Sequence, residues 1–518
     1  MAGYSVQRQH NEFTRGLNNG YGTGPNYNWQ LSAGSTSPQV SGNDYTWTKQ
    51  SYFGQLTYDY NQRYLLTAAI RRDGSSRFPT NDRWGTFWAT SLGWRISQEE
   101  FFTGLTDRIS TMKLRASYGA LGNDFIRGPY GGSYRYQPTI NPNVNYPLGP
   151  DQNLANGQIQ TQLPSANIAW EDRRTINGGV DFGFLQDRIT LSAEYYVSQT
   201  RNALIDPEIA LVLGSAGLPY QRLGQLENRG FELSLGYNET EKPFKYSITG
   251  NLTTLRNEVT RLRDASGQPV SFLTYSNNFE VTRTEENYEI GSFYLYQFDG
   301  IFQQGDNIAS SAQPTAQPGD VRYKDLNGDG LINESDRAHV GRVYPKLQYG
   351  LNLTAGYGNF DLAAFFQGVT GNDVLNATRW WLDRMDENTN YRRDLNPWTP
   401  QNPSGTTPRP VFAGASAGNN SRLNSTRFLE SGAYLRLRNL QLGYNIPKEA
   451  LAWANGLGSV RVTLTGQNVF TITRYKGYDP ETVGSGTLNE RSNTLMRGVD
   501  EGSYPNIRTF TLGLQVGF

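Results

Sequence analysis

The chain has 518 residues, 47 basic against 47 acidic side chains, no cysteine, two histidines and a mean hydropathy of −0.61. No apolar run approaches the roughly 20 residues of a membrane helix, which excludes a helical membrane protein. Balanced charge speaks against a nucleic-acid partner, and two isolated histidines, His10 and His339, leave little for a His-based triad or zinc site. A transmembrane β-barrel remains open, because only alternate residues of each strand meet lipid. The 56 Gly, 32 Tyr, 24 Phe and 10 Trp at only 36% hydrophobic content suit such a barrel with long polar loops. Absence of cysteine fits an exported protein without disulfides.

Residues 1–10 lack the basic and apolar regions of an export signal. They read as a strand, with Tyr4 and Val6 alternating with polar neighbours. An outer-membrane protein needs an export signal, so the chain is expected to be the C-terminal part of a longer protein. Alternation recurs at Leu56, Tyr58 and Tyr60; at Trp88, Leu92 and Trp94; at Ile189, Leu191 and Tyr195; at Phe231, Leu233, Leu235 and Tyr237; at Phe244, Tyr246 and Ile248; at Leu347, Tyr349, Leu351 and Leu353; and at Val460, Val462 and Leu464. The last strand sets Phe510, Leu512, Leu514, Val516 and Phe518 against Thr511, Gly513, Gln515 and Gly517, and ends on the aromatic. That period of 2 makes one face fully apolar.

About fourteen strands are expected, most near or above the roughly 9–11 residues of a spanning strand. They begin near 2, 48, 63, 84, 111, 172, 188, 227, 244, 346, 359, 431, 458 and 505. Short links at 61–62, 98–110, 186–187, 239–242, 358–359 and a short helix at 448–455 alternate with links at 11–47, 74–83, 122–171, 202–226, 259–345, 371–430 and 471–504. Short periplasmic turns alternating with long outer loops are the signature of an antiparallel transmembrane β-barrel, and a sandwich of Greek keys has no reason to keep that parity. The parity puts both chain ends on the periplasmic side. Leu233, Leu235, Leu351, Leu353, Leu512 and Leu514 should face lipid, and Glu232, Gln348, Asn352 and Gln515 the lumen. In 434–444 the apolar parity switches from Leu435 and Leu437 to Leu440 and Leu442, which predicts a β-bulge.

The loop region 259–345 carries a calcium-loop pattern. Asp325, Asn327 and Asp329 occupy relative positions 1, 3 and 5, Gly330 allows the sharp turn, Leu331 offers its carbonyl, Ile332 packs inward, and Asp336 closes position 12. Ca²⁺ is therefore the expected structural cofactor, through Asp325, Asn327, Asp329, Leu331 and Asp336; a metal-free turn is the plainer alternative, since Asp, Asn and Gly favour turns. His339, just beyond, reads as an exposed loop residue. Trp380 and Trp381 open a loop, where stacking on a ligand and anchoring at the membrane interface are both open. Gly414, Ser416 and Gly418 match a nucleophile-elbow pattern but lack the strand before and helix after that it needs.

Together these residues resemble the C-terminal barrel region of SusC/RagA-type TonB-dependent transporters of Bacteroidota. The resemblance is carried in order by Arg72-Asp-Gly-Ser-Ser-Arg-Phe78, Asp82-Arg-Trp-Gly-Thr-Phe87, Gly93-Trp-Arg-Ile-Ser97, Leu114-Arg-Ala-Ser-Tyr-Gly119, Trp170-Glu171, Asn228-Arg-Gly-Phe-Glu232, the run from Pro318 to Gly330, Phe366-Gln-Gly-Val-Thr-Gly-Asn372, Trp398-Thr-Pro-Gln-Asn-Pro403, the run from Tyr434 to Asn445, Gly466-Gln-Asn-Val-Phe470 and Tyr475-Lys-Gly-Tyr-Asp-Pro-Glu481. It implies a plugged barrel of about 22 strands, with signal peptide, TonB-box, plug and first strands outside this chain. It also implies a SusD-like lipoprotein partner, coupling to TonB-ExbB-ExbD through the plug, and import of glycans or peptides. Residues 1–518 alone are not expected to form a working transporter, because the edges near Tyr4 to Gln9 and Phe510 to Phe518 would stay unpaired in lipid. The alternative is a calcium-ordered outer-membrane binding or adhesin barrel without energy coupling. An enzyme is not expected.

Overall fold

The computed structural model describes residues 1–21, 30–126, 134–205, 221–264, 266–385, 390–411, 420, 422–453, 456–481 and 494–518. Most strands belong to one 15-stranded antiparallel sheet, and fourteen of them follow one another in chain order. These are β1 (Ala2–Asn19), β2 (Thr36–Tyr60), β3 (Tyr64–Ser75), β4 (Trp84–Arg95), β5 (Ile109–Asn123), β6 (Glu171–Phe184), β7 (Ile189–Ile205), β8 (Gln221–Glu239), β9 (Phe244–Thr254), β10 (Leu347–Tyr357), β11 (Phe360–Thr370), β12 (Tyr434–Asn445), β13 (Ser459–Thr473) and β14 (Thr509–Gly517). The fifteenth, Arg256–Leu262, follows β9 after Leu255 and pairs with β8.

The links alternate as expected. Residues 61–63, 185–188, 240–243 and 358–359 are tight connections. Asn61 and Gln62 sit at φ 52° and 55°, the left-handed pair that lets a hairpin turn follow the right-handed strand twist.

Register decides which side chains share a face, because residues opposite one another in an antiparallel pair point the same way. One row runs Tyr58, Leu66, Leu92, Ala116, Gly178, Tyr195 and Phe231 from β2 to β8. A second runs Tyr237, Ile248, Leu353, Ala364, Leu440, Gly466 and Phe510 from β8 to β14. The reverse face carries rows such as Thr67, Ser91, Ser117 and Asn177. Leu92, Ile176 and Leu512 are 58%, 57% and 77% exposed. Apolar surface this continuous marks a face that meets lipid. Leu233, Leu235, Leu351, Leu353, Leu512 and Leu514 lie on it, and Glu232, Gln348, Asn352 and Gln515 lie on the reverse face. Tyr60, Tyr64 and Trp94 stack in sequence at the short-turn end, with centroids 6.4 and 6.5 Å apart, an interfacial aromatic girdle.

The predicted bulge is present. Between Leu437, opposite Phe366, and Asn439, opposite Phe365, β12 carries one extra residue, Arg438. The strand β13 answers with its own extra residue, where Asn468 stands at φ 50°. The bulge turns Arg438 to the polar face beside Arg436 and leaves both apolar runs on the lipid face.

Several expectations are corrected. The link expected at 11–47 is largely strand: β1 continues to Asn19 and pairs with β2 back to Thr36. The side that continues the lipid face turns polar here, at His10, Glu12, Asp44 and Thr46, while Phe13, Leu17, Tyr45 and Trp47 fall on the other, so the alternation that marks a spanning strand is lost. The strand expected near 227 starts at Gln221. The helix expected at 448–455 is only Lys448–Leu451. The link 122–171 contains a hairpin, Thr139–Leu148 with Asn153–Gln162. Gly414, Ser416 and Gly418 lie outside the described residues. Among the described residues β1 and β14 each pair with a single neighbour.

The face assignment makes a direct prediction. Gln515 lies opposite Arg461, so Thr511 is the cleaner lumenal control. Leu512→Arg should cost roughly 2–4 kcal/mol of insertion free energy, and Thr511→Arg little. Folding yields of the full-length protein into lipid vesicles check this, with equal yields contradicting the assignment.

Candidate functional site

Three of the long links, those after β9, β11 and β13, fold together on the side away from the short turns. Val281, Phe293 and Leu295 come from the first, Leu375, Trp380 and Phe428 from the second, and Met496 and Val499 from the third; all belong to one buried apolar cluster. Short strands tie the links as well: Asp373–Asn376 pairs with Leu429–Ser431 and with Val499–Asp500. What reads as loop in sequence is thus a packed dome. Trp380, open between ligand stacking and membrane anchoring, does neither: it is 2% exposed in the dome core, against 51% for Trp381.

Polar joints lock the dome. Asp320, 4% exposed, accepts from Arg409 at 2.7 Å and from Asn420 at 2.9 Å. Asn420 in turn accepts from the Val321 amide at 2.7 Å. The buried pair Arg337–Glu280 (2.6 Å) continues to Arg283 at 2.7 Å, whose guanidinium lies 3.6 Å over Tyr294. Removing one member of such a pair leaves an uncompensated buried charge, which is why these joints resist separation.

The predicted calcium loop sits on the dome. Asp325 accepts from the amides of Gly328 (2.7 Å) and Gly330 (2.8 Å), and both glycines have positive φ. Asn327 donates to Asp329 at 2.9 Å, and Asp329 accepts from the Leu331 amide at 2.9 Å. The Asn327 and Leu331 bonds, with a further one from Asn333, outweigh burial and hold the Asp329 carboxyl below its usual range. Asp336 is fully buried and accepts from the amides of Leu326 and Asn333, both at 2.8 Å. Ile332 packs inward against Tyr296, Val321 and Tyr323. The donors are all oxygen, the chemistry of a hard cation. Among the described residues no three acidic or histidine side chains are gathered as a metal cluster. The loop is held by its own amides.

His339, expected exposed, is largely buried. It stacks on Tyr288 at 3.6 Å and lies between Ser292 Oγ (2.6 Å) and Glu285 (2.5 Å). Burial pushes its pKa down against the upward pull of Glu285. The Ser292 hydroxyl donates to the Arg283 carbonyl, so this Ser–His–Glu set is a structural joint and not an activated nucleophile.

A second joint ties the dome to the barrel wall at the bulge. Arg436, 2% exposed, bonds Thr471 at 2.8 Å, Asp479 at 2.6 Å and Glu481 at 2.9 Å. Arg438 bonds Gln367 at 2.9 Å, Asn468 at 3.2 Å and Glu481. Asn506 closes the loop by donating to Asp479 at 3.0 Å. The doubled arginine of the sequence follows from the bulge, which brings both to one face. Lower on that face Arg115 binds Asp181 at 3.2 Å and Glu194. The lumen wall is therefore lined by paired charges.

A family model described as TonB dependent receptor-like, beta-barrel matches residues 2–469. This chain belongs to that family. TonB-dependent receptor P3 of Formosa agariphila is 33% identical over all of this chain and 50% of its own length. SusC of Bacteroides thetaiotaomicron is 30% identical over 91% of this chain and 44% of its own. The solved RagAB peptide transporter superposes with a TM-score of 0.76 at 24% identity, covering 94% of this chain and 50% of that one, which shows a shared fold. The chain spans about half the length of the curated relatives it matches. The resemblance to SusC/RagA-type barrels stands, and this outer-membrane barrel is of a family of transport proteins, not enzymes.

The Asp479 joint predicts a pH response. Burial pushes its carboxyl up, but the Glu481 amide and the Arg436 guanidinium outweigh burial and hold it below the usual range. A depressed folded pKa gives stability that is complete above the unfolded value of about 3.9 and is lost as pH falls through the folded one. Protection of residues 475–481 and 499–506 in hydrogen exchange should hold down to about pH 4 and fall below it. Asp479→Asn should lower protection already at neutral pH.

Proposed function

We propose that this chain supplies the barrel wall and outer dome of a SusC-like TonB-dependent importer of oligosaccharides or peptides, working with a SusD-like surface lipoprotein. The observation that carries the reading is the pair of continuous faces. An apolar outside and a charged, hydrogen-bonded inside describe a wide polar passage, and the dome stands at its outer mouth. The lumenal pairs Arg115–Asp181 and Arg461–Asp361 (2.7 Å) offer both signs of charge and many donors, the surface that hydroxyl-rich or peptide substrates need. The names of the relatives support the same reading: SusC, and a solved peptide transporter. TonB-ExbB-ExbD would act through a plug outside this chain. Uptake of fluorescent oligosaccharide and peptide pools by cells carrying the full-length receptor tests it. Import should stop when the proton-motive force is collapsed; surface binding without import at any membrane potential would favour the binding-barrel alternative.

We further propose that Ca²⁺ binds Asp325, Asn327, Asp329 and Asp336 with the Leu331 carbonyl, replacing the internal bonds of the turn and stiffening the dome. Oxygen-only donors at that spacing support it. Calorimetry on the full-length receptor should give a dissociation constant of roughly 10⁻⁴–10⁻³ M, the range of extracellular sites. Asp329→Ala should abolish the heat. Identical titrations for the two proteins would leave a metal-free turn.

A further inference from the structure

The ladder breaks up at the outer ends of β7 and β8. Within residues 221–226 the pairing of β8 slips twice against β7 and once against Arg256–Leu262. Asn202 of β7 stands at φ 56° at one of these slips. A regular strand sends successive side chains to opposite faces, whereas bulges re-aim them. A cavity of about 550 Å³ opens here, lined by Arg222 and Gln225 of β8, by Arg261, and by Asn167 from the link between β5 and β6. That volume is within the roughly 300–1,000 Å³ of small-molecule sites. The lining is anchored from behind: Val259 and Leu262 are buried with Phe272, and Ile168 is buried with Phe78 and Trp170.

Charge in the cavity is not balanced internally. Arg263, also in the lining, is closed by Glu286, whose two oxygens accept from it at 2.8 and 2.9 Å while the Leu262 amide donates to the same carboxylate at 2.9 Å. Asp264 turns its Oδ1 onto its own turn, accepting from the Ser266 amide and hydroxyl and from the Gln268 amide. Arg222 and Arg261 differ. Among the described residues neither guanidinium makes a hydrogen bond or an ion pair, although the dome arginines Arg283, Arg337, Arg379 and Arg409 all do. The side-chain amides of Asn167, Gln221 and Gln225 are likewise without a partner among the described residues.

We propose that this cavity is a subsite for an acidic oligosaccharide, a sugar chain carrying carboxylate or sulfate groups. The proposal deepens the importer reading and rests on it for the route of uptake. A planar guanidinium grips an oxyanion through two parallel N–H bonds, and Arg222 and Arg261 have no internal acid that takes up this capacity. Carboxamides both donate and accept, which matches the hydroxyl groups of a sugar. Pro164, Ala166 and Leu223 add small apolar surface for the C–H faces of the rings. Among the described residues the lining holds no aromatic ring, and Leu223 is its single large apolar side chain. That leaves little to hold the side chains of a peptide, so an acidic sugar is favoured over an acidic peptide. The cavity lies at the outer end of the wall, the side from which a nutrient arrives.

The test is direct binding to the full-length receptor in detergent, measured by thermophoresis with fluorescent hexagalacturonate, a sulfated galactan hexasaccharide, neutral maltohexaose and a hexaglutamate peptide. Binding needs no import, so this test can fail while uptake of neutral oligosaccharide stands, and uptake can fail while it succeeds. At least one acidic hexasaccharide should bind about tenfold tighter than maltohexaose, and the tighter of the two identifies the anionic group. Arg222→Gln with Arg261→Gln should abolish that preference. Arg222→Lys with Arg261→Lys, which keeps the charge and loses the fork, should fall between. Arg256→Gln, on the strand of Arg261 but outside the lining, should bind as the wild type does. Heat-modifiable migration on gels confirms that each variant is folded. Equal binding of acidic and neutral sugars, an unchanged preference in the folded double-glutamine variant, or hexaglutamate bound as tightly as the acidic sugars would overturn the proposal.

Discussion

Inside a bilayer no water is available to a backbone N–H or C=O, and each unpaired group costs several kcal/mol. That constraint governs this chain. It requires every spanning segment to find a partner strand, which yields an antiparallel sheet with neighbours in chain order. It also frees side chains from the task of satisfying the backbone. One face can then be wholly apolar and the other wholly polar, and the alternation of Leu351 and Leu353 with Asn352 is the visible result. Irregular backbone is pushed beyond the membrane, where links of any length are tolerated.

The long links use that freedom to build structure of their own. Three of them contribute to one apolar core, and buried ion pairs such as Arg409–Asp320 and Arg337–Glu280 bind segments far apart in sequence. The bulge at Arg438 connects the two regimes. It is a defect in the barrel ladder, yet it presents Arg436 and Arg438 together to Asp479 and Glu481 and so fastens the dome to the wall. Bulges often re-aim side chains in this way. The family-like strings around 434–445, 466–470 and 475–481 are thereby parts of a single joint.

The barrel was legible because its signal is local. A period of 2 between short turns needs no knowledge of the rest of the chain, and even the parity switch at Leu437 to Leu440 could be read from one strand. The dome was not legible because its contacts are distant. Nothing near Trp380 announces that Phe293 and Met496 will cover it, and Asp320 lies 89 residues from Arg409. The extension of β1 and β2 was missed for the opposite reason: above the membrane the lipid-side face turns polar and Phe13, Leu17, Tyr45 and Trp47 fall on the other, so pairing leaves no spanning-strand pattern. The oxygen-rich turn at Asp325 was found by spacing, and its self-bonded geometry shows why spacing alone describes a turn as well as a metal site. His339 was misread because isolated histidine carries no sign of the Tyr288, Ser292 and Glu285 that enclose it.

The central claim is that a single alternation divides lipid from lumen along every spanning strand. The most direct measurement is a nitroxide scan of β10, one label at a time from Leu347 to Tyr357, in the full-length receptor in vesicles, reading collision with oxygen against collision with a water-soluble nickel chelate. Oxygen accessibility should peak at Tyr349, Leu351, Leu353 and Ala355, with chelate accessibility peaking at the residues between them. A profile with no period of 2, or one shifted by a residue so that Asn352 reports lipid, would contradict the account.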